Sequence, residues 1–159
     1  MAEESERERI DRNWNELLQE LRVAQTGVQI LTAFLLTLPF QPAFKDLPDS
    51  RTYVYVAVLL SAMMSMLMLL TPVALHRALF HRGVRPWLVE SANLFSRGGL
   101  VLLVAANVGA VWLVLDVVLG ATAASIAAAL LAGFTTIGWL VLPAWVLIER
   151  GTDSDSDAS

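Results

Sequence analysis

The chain has 159 residues with a net charge of −4, and 56% of them are hydrophobic while only 16% are charged. Soluble domains carry about 25% charged residues, so this composition, with a mean hydropathy of +0.59, indicates a membrane protein. Cysteine is absent, which excludes disulfides and thiolate metal sites, and the charges cluster near the two ends instead of forming a field that would bind nucleic acid.

The N-terminal part predicts one long helix. Residues 1–9 are polar and are expected to be frayed. Residues 10–22 carry apolar side chains at spacings of three and four, which predicts an amphipathic helix. No proline interrupts the chain before the motif "LPFQP", so this helix is expected to continue into a first membrane span at about 23–40.

Three further apolar segments are long enough to cross a bilayer, which takes about 20 helical residues. They lie at about 53–75, 97–118 and 124–147, and Gly120 marks the break between the last two. The predicted fold is therefore all-α, a four-helix transmembrane bundle with an amphipathic N-terminal extension that is continuous with the first span. A single membrane domain, 10–148, would be followed by a disordered acidic tail, 149–159.

Basic residues predict the orientation in the membrane, because lysine and arginine in short loops are retained in the cytoplasm. Only Lys45 and Arg51 fall on one side of the predicted spans. The other side carries Arg7, Arg9, Arg12, Arg22, Arg77, Arg82, Arg85, Arg97 and Arg150. Both termini are therefore expected in the cytoplasm.

Polar side chains enter the first span on one side of the helix. At 100° per residue, five of them fall within about one third of the circumference. They are Arg22, Gln25, Thr26, Gln29 and Thr32. Because amide groups are costly against hydrocarbon, this polar face is expected to point to other helices or to a partner chain. The alternative is that it lines a polar cavity or an ion path.

A second polar face begins the third helix, where Glu90, Asn93 and Arg97 are spaced three and four apart. Arg97 is expected to pair with Glu90 or Asn93 in its own helix, or across the bundle with Glu16 or Glu20. An arginine that reaches the headgroup level beside a local acidic partner is favoured over a gate or a substrate clamp.

Asn107 lies near the middle of the third span. A hydrogen bond from Asn107 to Thr135, Thr136 or Gln29 is expected to hold the helices together.

The stretch "HRALFHRGVR" is the most concentrated basic segment. Its residues His76, Arg77, Arg82 and Arg85 are expected to contact anionic lipid headgroups. His76 and His81 are five residues apart and so do not share a helix face, and no acidic ligand is adjacent. A metal site or a pH switch is therefore the less favoured interpretation.

Three segments carry a resemblance to a known family. They read "NELLQELRVAQTGVQILTAFLLTLPFQPAF", "PVALHRALFHRG" and "VLLVAANVGAVWLVLDVVLG". Between about Asn15 and Gly120 the chain resembles DUF6328, a group of small multi-pass actinobacterial membrane proteins. Some members of that group carry the name sodium:proton antiporter. The resemblance implies an architecture, a location in the bacterial plasma membrane, and no catalytic residues.

Two classes of function remain. An enzyme is not expected, since the spans offer no Ser/His/Asp set, no HExxH motif and no paired carboxylates at mid-membrane, and no cofactor is indicated. The favoured hypothesis is a small membrane protein that acts through helix association, as a homo-oligomer or as an accessory subunit, because Gly, Ala and Ser recur in the third and fourth helices. The alternative is a secondary transporter, cation/proton antiporter-like, that uses the polar face of the first helix.

Overall fold

The computed structural model describes residues 6–79, 85–141 and Trp145. This part of the chain contains helices and no strand, which confirms the all-α class. The four α-helices are α1 (Glu6–Thr37), α2 (Asp49–Leu79), α3 (Arg85–Leu119) and α4 (Ala121–Thr136). Two short 3-10 helices, Leu38–Phe40 and Pro42–Phe44, follow α1, and a π-helical segment, Ile137–Val141, follows α4.

The described residues include four segments long and apolar enough to cross a membrane. They are Leu18–Phe40, Asp49–Leu75, Ser91–Leu119 and Ala121–Trp139. Each of these segments begins a few residues before the predicted start of the span. For the first three spans the prediction placed the start next to a charged residue, whereas the helix extends beyond that residue. The four apolar helices identify a membrane protein.

Helix α1 is a single helix of 32 residues, so the amphipathic extension continues into the first span, as expected. It begins at Glu6, inside the segment 1–9 that was predicted to be frayed; residues 1–5 and the predicted tail, 149–159, lie outside the described residues. The helix ends at Thr37, just before Leu38 and Pro39. Proline disfavours helical geometry in the residue before it and removes a backbone donor, which accounts for the end.

The chain divides into two compact units, Met1–Ala110 and Val111–Ser159. In the first unit α1 packs along α2. Leu21, Val28 and Leu35 recur every seven residues on α1, and all three are buried. This spacing keeps one side of a helix in contact with its neighbour over two or more turns.

Close packing in the first unit also depends on small residues of α3. A Cβ added at Gly99 would lie 2.8 Å from Cγ of Leu69 in α2, and one added at Gly109 would collide with Cγ2 of Val58. Small residues let helix backbones approach closely in a membrane. At these positions the small residues of α3 therefore serve contacts within one chain.

The second unit contains a helical hairpin with a connection of one residue. Gly120 separates the end of α3 from α4, as predicted, and has φ 86° and ψ 165°. The indole Nε1 of Trp112 donates to Oγ of Ser125 at 3.2 Å, and Ala124 is fully buried.

Candidate functional site: the polar sides of α1

Gln25 connects α1 to α2 on the inner side of α1, the side that packs on α2. Its Nε2 donates to the carbonyl oxygen of Leu69 at 2.8 Å. Pro72, buried inside α2, has no backbone N–H to offer the Met68 carbonyl four residues earlier. Polar side chains of neighbouring helices support such breaks in membrane helices. Gln25 therefore stabilises α2 in the turn that the proline weakens.

Two side chains of α2 also make hydrogen bonds to backbone carbonyls of neighbouring helices. Oγ of Ser65 donates to the Gly99 carbonyl of α3 at 2.7 Å, and the hydroxyl of Tyr55 donates to the Leu35 carbonyl of α1 at 3.0 Å. Sequence reasoning missed both bonds. The available signal was that a hydroxyl within an apolar run must find an acceptor, and the sequence does not show which acceptor is nearest.

Thr32, also on the inner side of α1, differs from Gln25 because its polar group has no partner in the described part of the chain. Only 6% of the residue is exposed, and its Oγ1 has no hydrogen-bond partner in the described part of the chain. Threonine in a helix commonly donates to the carbonyl four residues earlier, as Thr26 does to Arg22 at 2.9 Å. A buried hydroxyl without a partner costs stability.

Four polar residues of α1, within the first span, are exposed on another side of the helix. We call them, with their small neighbour, the outer face of α1. It consists of Gln19, Arg22, Thr26, Gln29 and Ala33, which are spaced three and four apart and are all exposed. The predicted polar face is thus divided: Gln25 and Thr32 turn inward, while Arg22, Thr26 and Gln29 turn outward.

Gln29 occupies the midpoint of the first span. It lies eleven residues from Leu18 and eleven from Phe40, the ends of that span. Its side chain is exposed and makes no hydrogen bond within the part of the chain that the structure describes. An amide without a hydrogen-bond partner in hydrocarbon is unfavourable by several kcal/mol, on the order of 4–8 for transfer to cyclohexane.

Near the start of the first span, charged residues form a local pair within α1. Glu16 lies 4.0 Å from Arg12, one turn earlier in α1, and both side chains are exposed. The expected pairing of Glu16 with Arg97 is therefore not observed. Arg97 is exposed and has no ion pair among the described residues. The side chain of Glu90 lies outside the described set, so that pairing stays a prediction.

The expected interhelical bond of Asn107 is also not observed. Nδ2 of Asn107 donates to the Leu103 carbonyl of its own helix at 2.8 Å. Thr135 and Thr136 likewise donate to carbonyls four residues earlier in α4, at 2.9 and 2.8 Å. A short polar side chain in a helix can be satisfied by the preceding turn and then needs no partner helix.

The basic segment lies at the edge of the described residues. Arg77 is exposed in α2. Arg82 and the side chains of His76 and Arg85 lie outside the described set, so the headgroup contacts stay predictions.

Asn93 is exposed in α3. Among the described residues, no group of three or more His, Asp and Glu could hold a metal ion.

Comparison with known families decides the affiliation. A model described as "Family of unknown function (DUF6328)" matches residues 3–143. The chain belongs to DUF6328. The match confirms the resemblance and reaches beyond Gly120, so it includes all four apolar helices of this DUF6328 member. No curated protein and no solved structure matches the chain.

Proposed function

We propose that this membrane protein acts through helix association, and that the outer face of α1 binds a helix of another membrane chain. The observation that carries the proposal is Gln29, an exposed amide at the midpoint of a span with no hydrogen bond in the described chain. Hydrocarbon offers no hydrogen-bonding group, so a polar side chain on an associated helix would satisfy this amide.

The two sides of α1 support this assignment. Leu21, Val28 and Leu35 are buried on the inner side, so that side is already occupied by α2. On the outer face, Thr26 and Ala33 are small and would allow close approach of a second helix backbone. The proposal covers a homo-oligomer and an accessory subunit, and it gives the chain no catalytic step.

The proposed setting is the bacterial plasma membrane with both termini in the cytoplasm, as the distribution of basic residues favours. Arg77 and its basic neighbours would then contact anionic headgroups of the inner leaflet. Reporter fusions at the C-terminus and within Arg82–Arg85 should be cytoplasmic, and a fusion within Lys45–Asp49 should be external. An external C-terminus would overturn this orientation.

Site-specific photo-cross-linking in native membranes tests the association. A photoreactive residue at Ala33, on the outer face, should give adducts heavier than the single chain. The matched control is Leu60 of α2, which is 62% exposed and surrounded by apolar neighbours. Gln29→Leu should reduce the Ala33 adducts. Equal adducts from Ala33 and Leu60, or none from Ala33, would overturn the proposal.

Ion flux provides the contrasting outcome. If the outer face lined an ion path, proteoliposomes with an imposed Na⁺ or proton gradient should show flux that Gln29→Leu abolishes while the Ala33 adducts persist. That combination would replace association by transport. Absence of flux together with loss of adducts in Gln29→Leu is the expected result.

A further inference from the structure

The outer face of α1 also carries a charge that restricts its partner. Resting on the proposed function, we infer that the partner is a helix of a different membrane protein. This helix has a carboxylate at the level of Arg22 and an amide or hydroxyl at the level of Gln29.

The two groups are separated by two helical turns. Arg22 and Gln29 are seven residues apart, about 10.5 Å along the helix axis, and both are exposed on the same side of α1. Arg22 lies four residues inside the first span, which begins at Leu18. Its guanidinium has no ion pair in the described part of the chain. The outer face therefore presents a cation near one end of the span and a neutral amide at the midpoint.

A second copy of the chain fits this arrangement poorly. For two copies with the same orientation in the membrane, a symmetric contact through Gln29 would place Arg22 of one copy on the same side of the crossing as Arg22 of the other. Like charges that face each other across an interface oppose association.

The acidic side chains of α1 that the structure describes, Glu16 and Glu20, do not relieve this repulsion. Glu20 is two residues before Arg22, which is 200° around the helix and thus on its opposite side. Glu16 is engaged with Arg12.

A carboxylate on a different chain would complement the face. Arginine binds carboxylates through two parallel hydrogen bonds, and such a pair is stronger where water is scarce. A partner helix that repeats the seven-residue spacing would place a second polar side chain beside Gln29. Asn, Gln, Ser or Thr would serve, because the Gln29 amide both donates and accepts.

A designed host helix tests the inference directly. A single-span leucine-alanine peptide carrying Glu and Gln seven residues apart, with Glu at the headgroup end, is reconstituted with the full-length chain in neutral phosphatidylcholine vesicles. Resonance energy transfer between the two reports association. Replacing Glu of the host by Lys should weaken association about tenfold, and replacing Gln of the host by Leu should weaken it by a similar factor.

Charge reversal provides the decisive control. The variant Arg22→Glu should no longer bind the Glu host and should bind the Lys host instead. Arg51→Glu, a charge change near the start of α2, should leave the binding of both hosts unchanged. Equal binding of the Glu and Lys hosts, or failure of the reversal, would overturn the inference. The inference would also be overturned if the preference for the Glu host over the Lys host disappeared when anionic lipid replaced neutral lipid. A lipid headgroup would then be the ligand of Arg22.

A measurement of self-association distinguishes failure of this inference from failure of the proposed function. Energy transfer between two labelled copies that exceeds transfer to the Glu host, and is unaffected by Arg22→Glu, would make the partner a second copy. That result overturns this inference and leaves the proposed function intact. Absence of Ala33 cross-links in native membranes overturns the proposed function itself.

Discussion

Gln25 and Gln29 are one turn apart on α1, yet only Gln25 is hydrogen-bonded to another helix, through the Leu69 carbonyl. Gln25→Leu should therefore lower the free energy of unfolding by about 1 kcal/mol or less, the usual range for interhelical bonds in membranes. Gln29→Leu should leave it unchanged for the isolated chain or raise it. Unfolding of the purified protein in mixed detergent micelles measures both, and equal losses for the two variants would contradict the assignment.

Thr32 should be replaceable with a gain in stability. Valine has nearly the same shape and removes the buried hydroxyl that has no partner in the described chain, so Thr32→Val is expected to raise the free energy of unfolding by about 1 kcal/mol. Thr26→Val, at an exposed threonine, is the control and should change little. A marked loss for Thr32→Val would show that the hydroxyl has a partner in the membrane.

Gly99 should not tolerate alanine. The added methyl would lie 2.8 Å from Cγ of Leu69 and 3.3 Å from its backbone nitrogen, so α2 and α3 would have to separate. Overpacking of this kind costs about 1–3 kcal/mol. Gly133→Ala, where the methyl would meet nothing within 4 Å, is the matched control. Thermal unfolding in detergent compares them, and equal melting temperatures would refute the close contact.

Gly120 should also be destabilised by alanine, because of its backbone conformation and not because of a steric contact. Its φ of 86° and ψ of 165° belong to a region that is essentially restricted to glycine, although an added methyl would meet no neighbouring atom. Gly120→Ala should thus destabilise the hairpin by about 1–3 kcal/mol. Gly27→Ala, in an open position of α1, controls for the added methyl. Protease accessibility at the α3–α4 connection should increase only in Gly120→Ala.

Tyr55 should depend on its hydroxyl more than Tyr53 does. Tyr55 is buried, donates to the Leu35 carbonyl and meets the Phe44 ring edge to face with centroids 4.9 Å apart. Tyr55→Phe keeps the ring contact and should lose about 1 kcal/mol from the hydrogen bond. Tyr53→Phe, at a site that is 75% exposed, should lose less. Chemical unfolding measures the loss in the free energy of unfolding for both variants. Equal losses would contradict the hydrogen bond of Tyr55.

Elements governed by local chain chemistry could be predicted from the sequence. The continuity of α1 follows from the absence of proline before Pro39, and the break after α3 follows from Gly120. Both depend on the conformations that one or two residues allow, which the sequence states directly.

The partners of polar side chains could not be predicted in the same way. Helical periodicity grouped Gln25 with Gln29, but which of them meets α2 depends on how the two helices are rotated against each other. Asn107 was expected to need another helix, and it bonds to Leu103 in its own. The bond from Ser65 to Gly99 depends on the register between two distant segments, and hydrophobic spacing carries no information on that register.

The unbroken course of α1 has a mechanical consequence. Twelve residues, Glu6 to Leu17, precede the first span, which corresponds to an arm of about 18 Å, and α1 continues without interruption from this arm to Thr37. Because backbone hydrogen bonds couple the two parts, a sideways pull on the Glu6 end tilts the whole helix about a fulcrum at the bilayer surface. The Thr37 end would then swing in the opposite direction, so a displacement on one side of the membrane would be conveyed to the other.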